Sequence, residues 1–97
     1  MRTKEQILET IRRELPNLKR SYPISRLALF GSYSRNEQTR DSDVDILIDF
    51  DRPIGLFKII ELEGLLSDLL GVKVDLVTTS SLKELLRPQV LKEAIYA

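Results

Sequence analysis

Cysteine and histidine are both absent from the 97 residues. Without cysteine there is no disulfide framework, no zinc–thiolate site and no thiol nucleophile. Without histidine there is no serine–histidine triad, no histidine base and no imidazole metal site. The chemistry left open rests on carboxylates, hydroxyls, Lys and Arg, with a hard metal such as magnesium. Long apolar runs are missing too, so no segment is expected to span a bilayer. The opening stretch MRTKEQ leads into a charged helical pattern rather than an apolar secretory run, which predicts a cytoplasmic protein. Net charge is zero and basic residues are scattered, so direct nucleic-acid binding is not expected.

The rest of the composition is ordinary for a globule: 42% hydrophobic and 31% charged residues. The length predicts a single domain over 1–97, hiding about 60–65% of its unfolded surface. Charge is balanced overall but not along the chain. Residues 1–40 carry nine Lys/Arg against four Asp/Glu, and residues 41–97 carry six against eleven. Two solvated faces of opposite sign would account for much of this. The acidic half holds something denser, however: Asp41, Asp43, Asp45, Asp49 and Asp51 fall within eleven residues.

Periodicity places these residues on elements. Thr3 and Gln6 read as a capping box for a first helix, with Ile7, Leu8, Ile11 and Leu15 as its buried stripe. Pro16 and Pro23 punctuate the segment after it. Leu27–Phe30 reads as a buried strand stopped by Gly31, and residues 31–42 as a polar loop with a helical turn near Ser34–Glu37. Val44, Ile46, Ile48 and Phe50 alternate with Asp43, Asp45, Leu47 and Asp49, the period of a second strand. A turn over 52–55 precedes an apolar helix from Leu56 to Leu70, closed by Gly71. Val72, Val74 and Leu76 alternate with Lys73, Asp75 and Val77 as a third strand. Ser81 and Glu84 suggest a capping box for a helical C-terminus, in which Pro88 kinks the helix or begins a new one. The first two strands are expected to pair antiparallel, and the 56–70 helix to carry a parallel crossover from the second strand to the third. The fold class is α/β (α+β), a small mixed sheet of three or more strands flanked by helices.

Asp43 and Asp45, two apart on a strand, leave the same face, while Val44 and Ile46 point into the core. Paired carboxylates on rigid backbone repel each other unless a cation sits between them. Oxygen-only ligands suit Mg²⁺ aided by substrate phosphates. If the second and third strands are parallel neighbours, Asp75 approaches the pair. Three such carboxylates can hold two metal ions about 3.5–4 Å apart for phosphoryl or nucleotidyl transfer. Aspartates also gather in turns and caps, which accounts for Asp41 and Asp51 but not for Asp45. A calcium loop starting at Asp41 fails, because its sixth position is Ile46 rather than Gly and its twelfth is Arg52 rather than Glu.

Gly31-Ser32 ends the first strand. Glycine permits a tight turn and close approach of a ligand to backbone. A helical turn starting there would aim free amides at an anion, and Arg35, one turn on, could reach phosphate oxygens in a fork. A Gly-Ser loop start is commonplace by itself. The spacing is not: Gly31-Ser32, ten residues, then Asp43-Val44-Asp45 matches the signature of polymerase-β-type nucleotidyltransferases. The stretch GSYSRNEQTRDSDVDILI resembles the minimal nucleotidyltransferase (MNT) family, whose common form is GSxARGxxxxxSDxDLxV. Val74-Asp75-Leu76-Val77 resembles that family's third-carboxylate strand. The resemblance runs from about Leu27 to Val77. It departs at Ser34, where alanine is usual, and at Asn36, where glycine is usual. Asn tolerates left-handed backbone better than most residues, so the loop should keep its shape.

The resemblance implies a polymerase-β-like nucleotidyltransferase fold and places roles on these positions. Gly31 and Ser32, assisted by Arg35, would hold the phosphates of a nucleoside triphosphate. Asp43, Asp45 and Asp75 would be the catalytic and metal residues, holding Mg²⁺ (two ions), with Asp75 helping to deprotonate the attacking hydroxyl. ATP as substrate rests on the resemblance alone, since no base-reading motif stands out. MNT proteins are commonly paired with a HEPN-domain toxin. The implied reading is an antitoxin that transfers AMP to a hydroxyl of a HEPN partner. A non-catalytic antitoxin acting by occlusion is the alternative, and a small-molecule transferase a third. Leu85, Leu86, Val90, Leu91, Ile95 and Tyr96 could face a partner, but most are expected to cover the sheet.

Overall fold

The computed structural model describes residues 2–97. Its elements are α1 (Lys4–Ser21), β1 (Ile24–Phe30), β2 (Val44–Phe50), α2 (Leu56–Leu70), β3 (Val74–Thr78), a 3₁₀ turn (Thr79–Ser81), α3 (Arg87–Glu93) and β4 (Ile95–Tyr96). The sheet order is β3-β2-β1-β4. β1 pairs antiparallel with β2 and β4, and β2 pairs parallel with β3. The antiparallel hairpin and the parallel crossover through α2 are as the loop lengths predict.

The two faces of the sheet are unequal. Leu27, Leu29, Val44, Ile46, Ile48 and Val74 pack against Ile7, Leu8, Ile11 and Leu18 of α1 and Leu62, Leu66 and Leu70 of α2. This is the main core, and both long helices lie on it. The opposite face carries a small cluster, Ala28, Leu47 and Val90, with Phe30, Leu82 and Ala94 at its edge. α3 covers only part of that face. The strand alternation that sends Val44 and Ile46 into the main core therefore leaves Asp45 on the thinly covered side.

The first helix starts where expected: Thr3 Oγ1 accepts from Gln6 N–H and Gln6 Oε1 from Thr3 N–H. It does not stop at Pro16 but runs to Ser21. A proline inside a helix costs about 3 kcal/mol. Burying a large apolar side chain returns roughly 1.5–3 kcal/mol, and Leu18 and Tyr22 are both buried beyond the proline. Packing thus outweighs the local penalty. α2 closes as read, with Gly71 at φ 69°. Its N-terminal half leaves Leu56, Phe57 and Ile60 exposed.

The C-terminal third departs most from expectation. The Ser81/Glu84 capping box does not form, because Ser81 Oγ donates to the Thr78 carbonyl. Helix is confined to α3, with Pro88 in its first turn. Ile95 and Tyr96 are not helical but pair with Leu29 and Ala28 as an edge strand. Of the six apolar residues expected mostly to cover the sheet, Val90 is buried and Ile95 partly so. Leu85, Leu86, Leu91 and Tyr96 are exposed. A seven-residue helix has too little length to fold them all inward.

A hydrogen bond from the Tyr22 hydroxyl to the Glu61 carboxylate ties the end of α1 to α2. Burial, then the Glu61 bond and charge, push the Tyr22 hydroxyl up to about 12. A folded value above the unfolded one means stability is intact below about pH 10 and drains as pH rises through the folded value. Urea unfolding at stepped alkaline pH should show this loss. Tyr22→Phe should flatten the profile between about pH 10 and 12, and an unchanged profile would detach the bond from stability.

Candidate functional site

The sheet register assembles the site. Phe30 of β1 lies beside Asp45 of β2, and Asp45 lies beside Asp75 of β3. Neighbours in register share a face, so Asp45 and Asp75 leave the sheet on the same side, away from the main core. Asp43 precedes β2 by one residue, and its Oδ2 stands 3.9 Å from Lys73 Nζ. Asp45 and Asp75 thus stand side by side on one face, and Asp43 stands at the end of the same strand beside Lys73.

Asp45 is half-buried and Asp75 exposed. Burial, then the charges of Asp75 and Asp43, push the Asp45 carboxyl up to about 6, against a smaller opposing pull from Arg35. Among the described residues no three carboxylates close into a ready-made metal cage. The donor set nonetheless suits a hard cation: it is all oxygen, it is crowded with like charge, and it is open to ligands from substrate.

The loop from Gly31 closes on these carboxylates. Gly31 has φ 75°, and a Cβ there would fall inside the Asp45 carboxylate. The glycine is required twice, by backbone conformation and by space. Gly31 C=O accepts from Ser34 N–H at 3.1 Å and from Ser34 Oγ at 2.8 Å, forming the tight turn expected near this point. Ser34, the replacement for alanine, thus adds a bond. Asn36 takes φ 57°, the left-handed conformation that a glycine would supply. Tyr33 is buried in the main core and anchors the loop. The Ser32 and Tyr33 amides donate to no acceptor among the described residues.

Arg35 is not free, as the sequence alone would allow. Its Nε bonds Glu37 at 3.0 Å and its Nη1 bonds Glu93 at 2.9 Å. Glu93 escaped notice in the sequence. It is one acid on a charged helix, and only the return of α3 and β4 to the edge of β1 brings it to the loop. A cleft of about 480 Å³ opens beside Asp43, bordered by Tyr33, Arg2, Arg40 and Lys73. Arg2 and Arg40, distant in sequence, also gave no local signal. Asp49 and Asp51 border another cleft, of about 520 Å³, and neither cleft is lined by Asp45 or Asp75, so cleft volume does not mark the site.

This combination, a mixed sheet presenting adjacent carboxylates beneath a Gly-Ser turn, defines a nucleotidyltransferase. The chain belongs to the nucleotidyltransferase-domain family, whose pattern matches residues 8–97. It is 44% identical over 96 residues to "Protein adenylyltransferase MntA" of Thermococcus cleftensis, covering 99% of this chain and 97% of that one. It is 54% identical over 82 residues, 84% of each chain, to "Putative protein adenylyltransferase MJ0126" of Methanocaldococcus jannaschii. Among solved structures, a "putative minimal nucleotidyltransferase" superposes with a TM-score of 0.81 at 37% identity, covering 97% of this chain and 95% of that one. That likeness bears out the polymerase-β-like fold. A toxin–antitoxin structure with AMP-PNP matches with a TM-score of 0.69 at 29% identity, over 96% and 70% of the two chains. A complex of a tri-AMPylated Shewanella oneidensis HEPN toxin with its MNT antitoxin matches at 0.60 and 26%, over 96% and 66%. No helix among the described residues is long and apolar enough to cross a membrane.

Proposed function

We propose that this chain transfers AMP from ATP to a hydroxyl of a HEPN-type partner protein and so acts as its antitoxin. The observation that carries the reading is the seating of Gly31 against the Asp45 carboxylate, itself in register with Asp75. A phosphate-binding turn and a cation-binding group thereby share one wall. Gly31, Ser32 and Arg35 form the turn that receives the triphosphate tail. Asp43, Asp45 and Asp75 would hold Mg²⁺, which when bound neutralises charge developing on the phosphates. The acceptor oxygen bonds to the α-phosphorus, the bond to pyrophosphate breaks, and Asp75 takes the hydroxyl proton. The relatives' described activity and the toxin–antitoxin complexes support protein as the acceptor. Phe57 and Leu85, 87% and 90% exposed, supply apolar surface suited to a protein partner.

The test combines the chain with the HEPN-type product of an adjacent gene, Mg²⁺ and ATP labelled at the α-phosphate. Label on the partner, lost in an Asp43→Asn/Asp45→Asn double variant, is the expected result. A stable complex without label under any triphosphate would instead make the chain an antitoxin by occlusion. Within the catalytic reading, Ser32→Ala should raise KM for ATP about tenfold, the loss of one hydrogen bond to a charged group. An unchanged KM would remove Ser32 from the phosphate site.

A further inference from the structure

Glu93 ends α3, and its side chain is only 10% exposed. Its Oε1 accepts from Gly31 N–H at 3.0 Å. Its Oε2 accepts from Arg35 Nη1 at 2.9 Å and from Gln89 Nε2 at 3.4 Å. Burial pushes this carboxyl up, but the bonds from Arg35 and Gly31 outweigh it and hold the group below the ordinary glutamate value. A largely enclosed, ionised carboxylate is thus aimed at the two groups assigned to an anionic substrate.

Two tasks fit an anion in that position. It could occupy the place of the phosphates, to be expelled by them, or it could brace the loop that receives them. The hydrogen bonds favour the brace. Glu93 takes the first amide of the turn and leaves the next two, Ser32 and Tyr33, without an acceptor among the described residues. It takes Nη1 of Arg35, Glu37 takes Nε, and Nη2 has no partner among the described residues. On a second side Gly31 lies close against the Asp45 carboxylate, where no side chain would fit. The donors needed by a triphosphate are those left over.

We propose that Glu93 is a positioning residue for triphosphate binding, holding the Gly31 amide and the Arg35 guanidinium so that the Ser32 and Tyr33 amides and Arg35 Nη2 remain available to the phosphates. This rests on the nucleotidyl-transfer reading above. It gives the C-terminal segment a task beyond covering the sheet: α3 and β4 carry a strut to the nucleotide site.

Calorimetric titration with AMP-PNP and Mg²⁺ tests it without the partner. Glu93→Ala should weaken AMP-PNP binding about tenfold, the scale of one lost charge-assisted bond. Glu93→Gln, which keeps an acceptor for Gly31 N–H but loses the charge facing Arg35, should recover part of that loss. In an Arg35→Ala background the Glu93→Ala effect should shrink. In the nucleotide-free protein, the Gly31 amide should exchange with solvent at least about tenfold faster in Glu93→Ala, read by NMR. Unchanged AMP-PNP affinity, with only a lowered Tm, would make Glu93 structural and overturn the proposal. Tighter binding would also overturn it, showing that the carboxylate competes with phosphate. If the wild-type chain binds no AMP-PNP, the nucleotide reading itself falls and takes this role with it. Failure of Glu93 alone leaves wild-type binding intact, so the two are distinguishable.

Discussion

Asp45→Asn should abolish nucleotide transfer and raise the melting temperature in the same protein. The first effect comes from the proposed metal role. Losing a carboxylate that holds the cation should lower the rate at least about 1,000-fold, near 4 kcal/mol in barrier. The second comes from the company Asp45 keeps. It is half-buried, in register with Asp75, two residues from Asp43, and raised to about 6 mainly by burial. A carboxyl whose folded value lies above its unfolded value costs stability once ionised. The cost accumulates as pH climbs from about 4 to 6 and is complete at neutral pH. At face value this is about 3 kcal/mol. Solvent screening on a half-exposed group reduces it to roughly 1 kcal/mol, which for a chain of this size is a Tm gain of about 4–8 °C. Asparagine is nearly isosteric, so no cavity offsets the gain. Asp43→Asn should lose the rate without the same gain, because Asp43 stands nearer solvent and faces Lys73. The paired measurement is a thermal melt near neutral pH and the labelled-transfer assay. A fall in Tm for Asp45→Asn would mean the carboxylate supports the fold and was never held at a cost.

That trade marks which parts of the molecule could be read in the sequence. Apolar period and turn chemistry act locally, so α2 with its Gly71 close, the β2 alternation and the α1 capping box were legible from neighbouring residues. The β1–β2 and β2–β3 pairings came from loop lengths, and with them the approach of Asp75 to Asp45; the place of β4 did not. The Gly-Ser turn and the aspartates formed a spaced pattern, and the structure seats Gly31 against Asp45 and Asp45 beside Asp75. Non-local features escaped. Helix continues past Pro16 because Leu18 and Tyr22 are buried against distant residues. Ile95 and Tyr96 form a strand because the edge of β1 is open to pairing, a fact no local window contains. Glu93 was illegible for the same reason, since its bonds to Gly31 and Arg35 span 62 and 58 residues. Arg35 stands beside the turn as its spacing suggests, but its ion pair with Glu93 lay outside its own loop and gave no local sign.

Gly31→Ala should be the most damaging single methyl in the chain. At φ 75° an alanine adopts left-handed backbone, at a cost of about 1 kcal/mol. Its Cβ would also lie within the Asp45 carboxylate, so that side chain must move. Asp45 has little freedom to do so, since its strand is paired on both sides with β1 and β3. A shift of about 1 Å in a catalytic group costs on the order of 100-fold in rate. The expected result is therefore a loss of transfer of at least about 100-fold together with a lower Tm, the opposite thermal sign to Asp45→Asn. The cause can be separated from backbone strain by a cycle. In an Asp45→Ala background the new methyl finds room, so Gly31→Ala should cost less stability there than in the wild type, leaving chiefly the left-handed term. Equal costs in the two backgrounds would show that the carboxylate yields freely and that only φ matters. Gly64→Ala is the control, because a Cβ there meets nothing within 4 Å and should leave transfer unchanged. If Gly31→Ala also transfers at the wild-type rate, the close seating of this turn on Asp45 is not what builds the site.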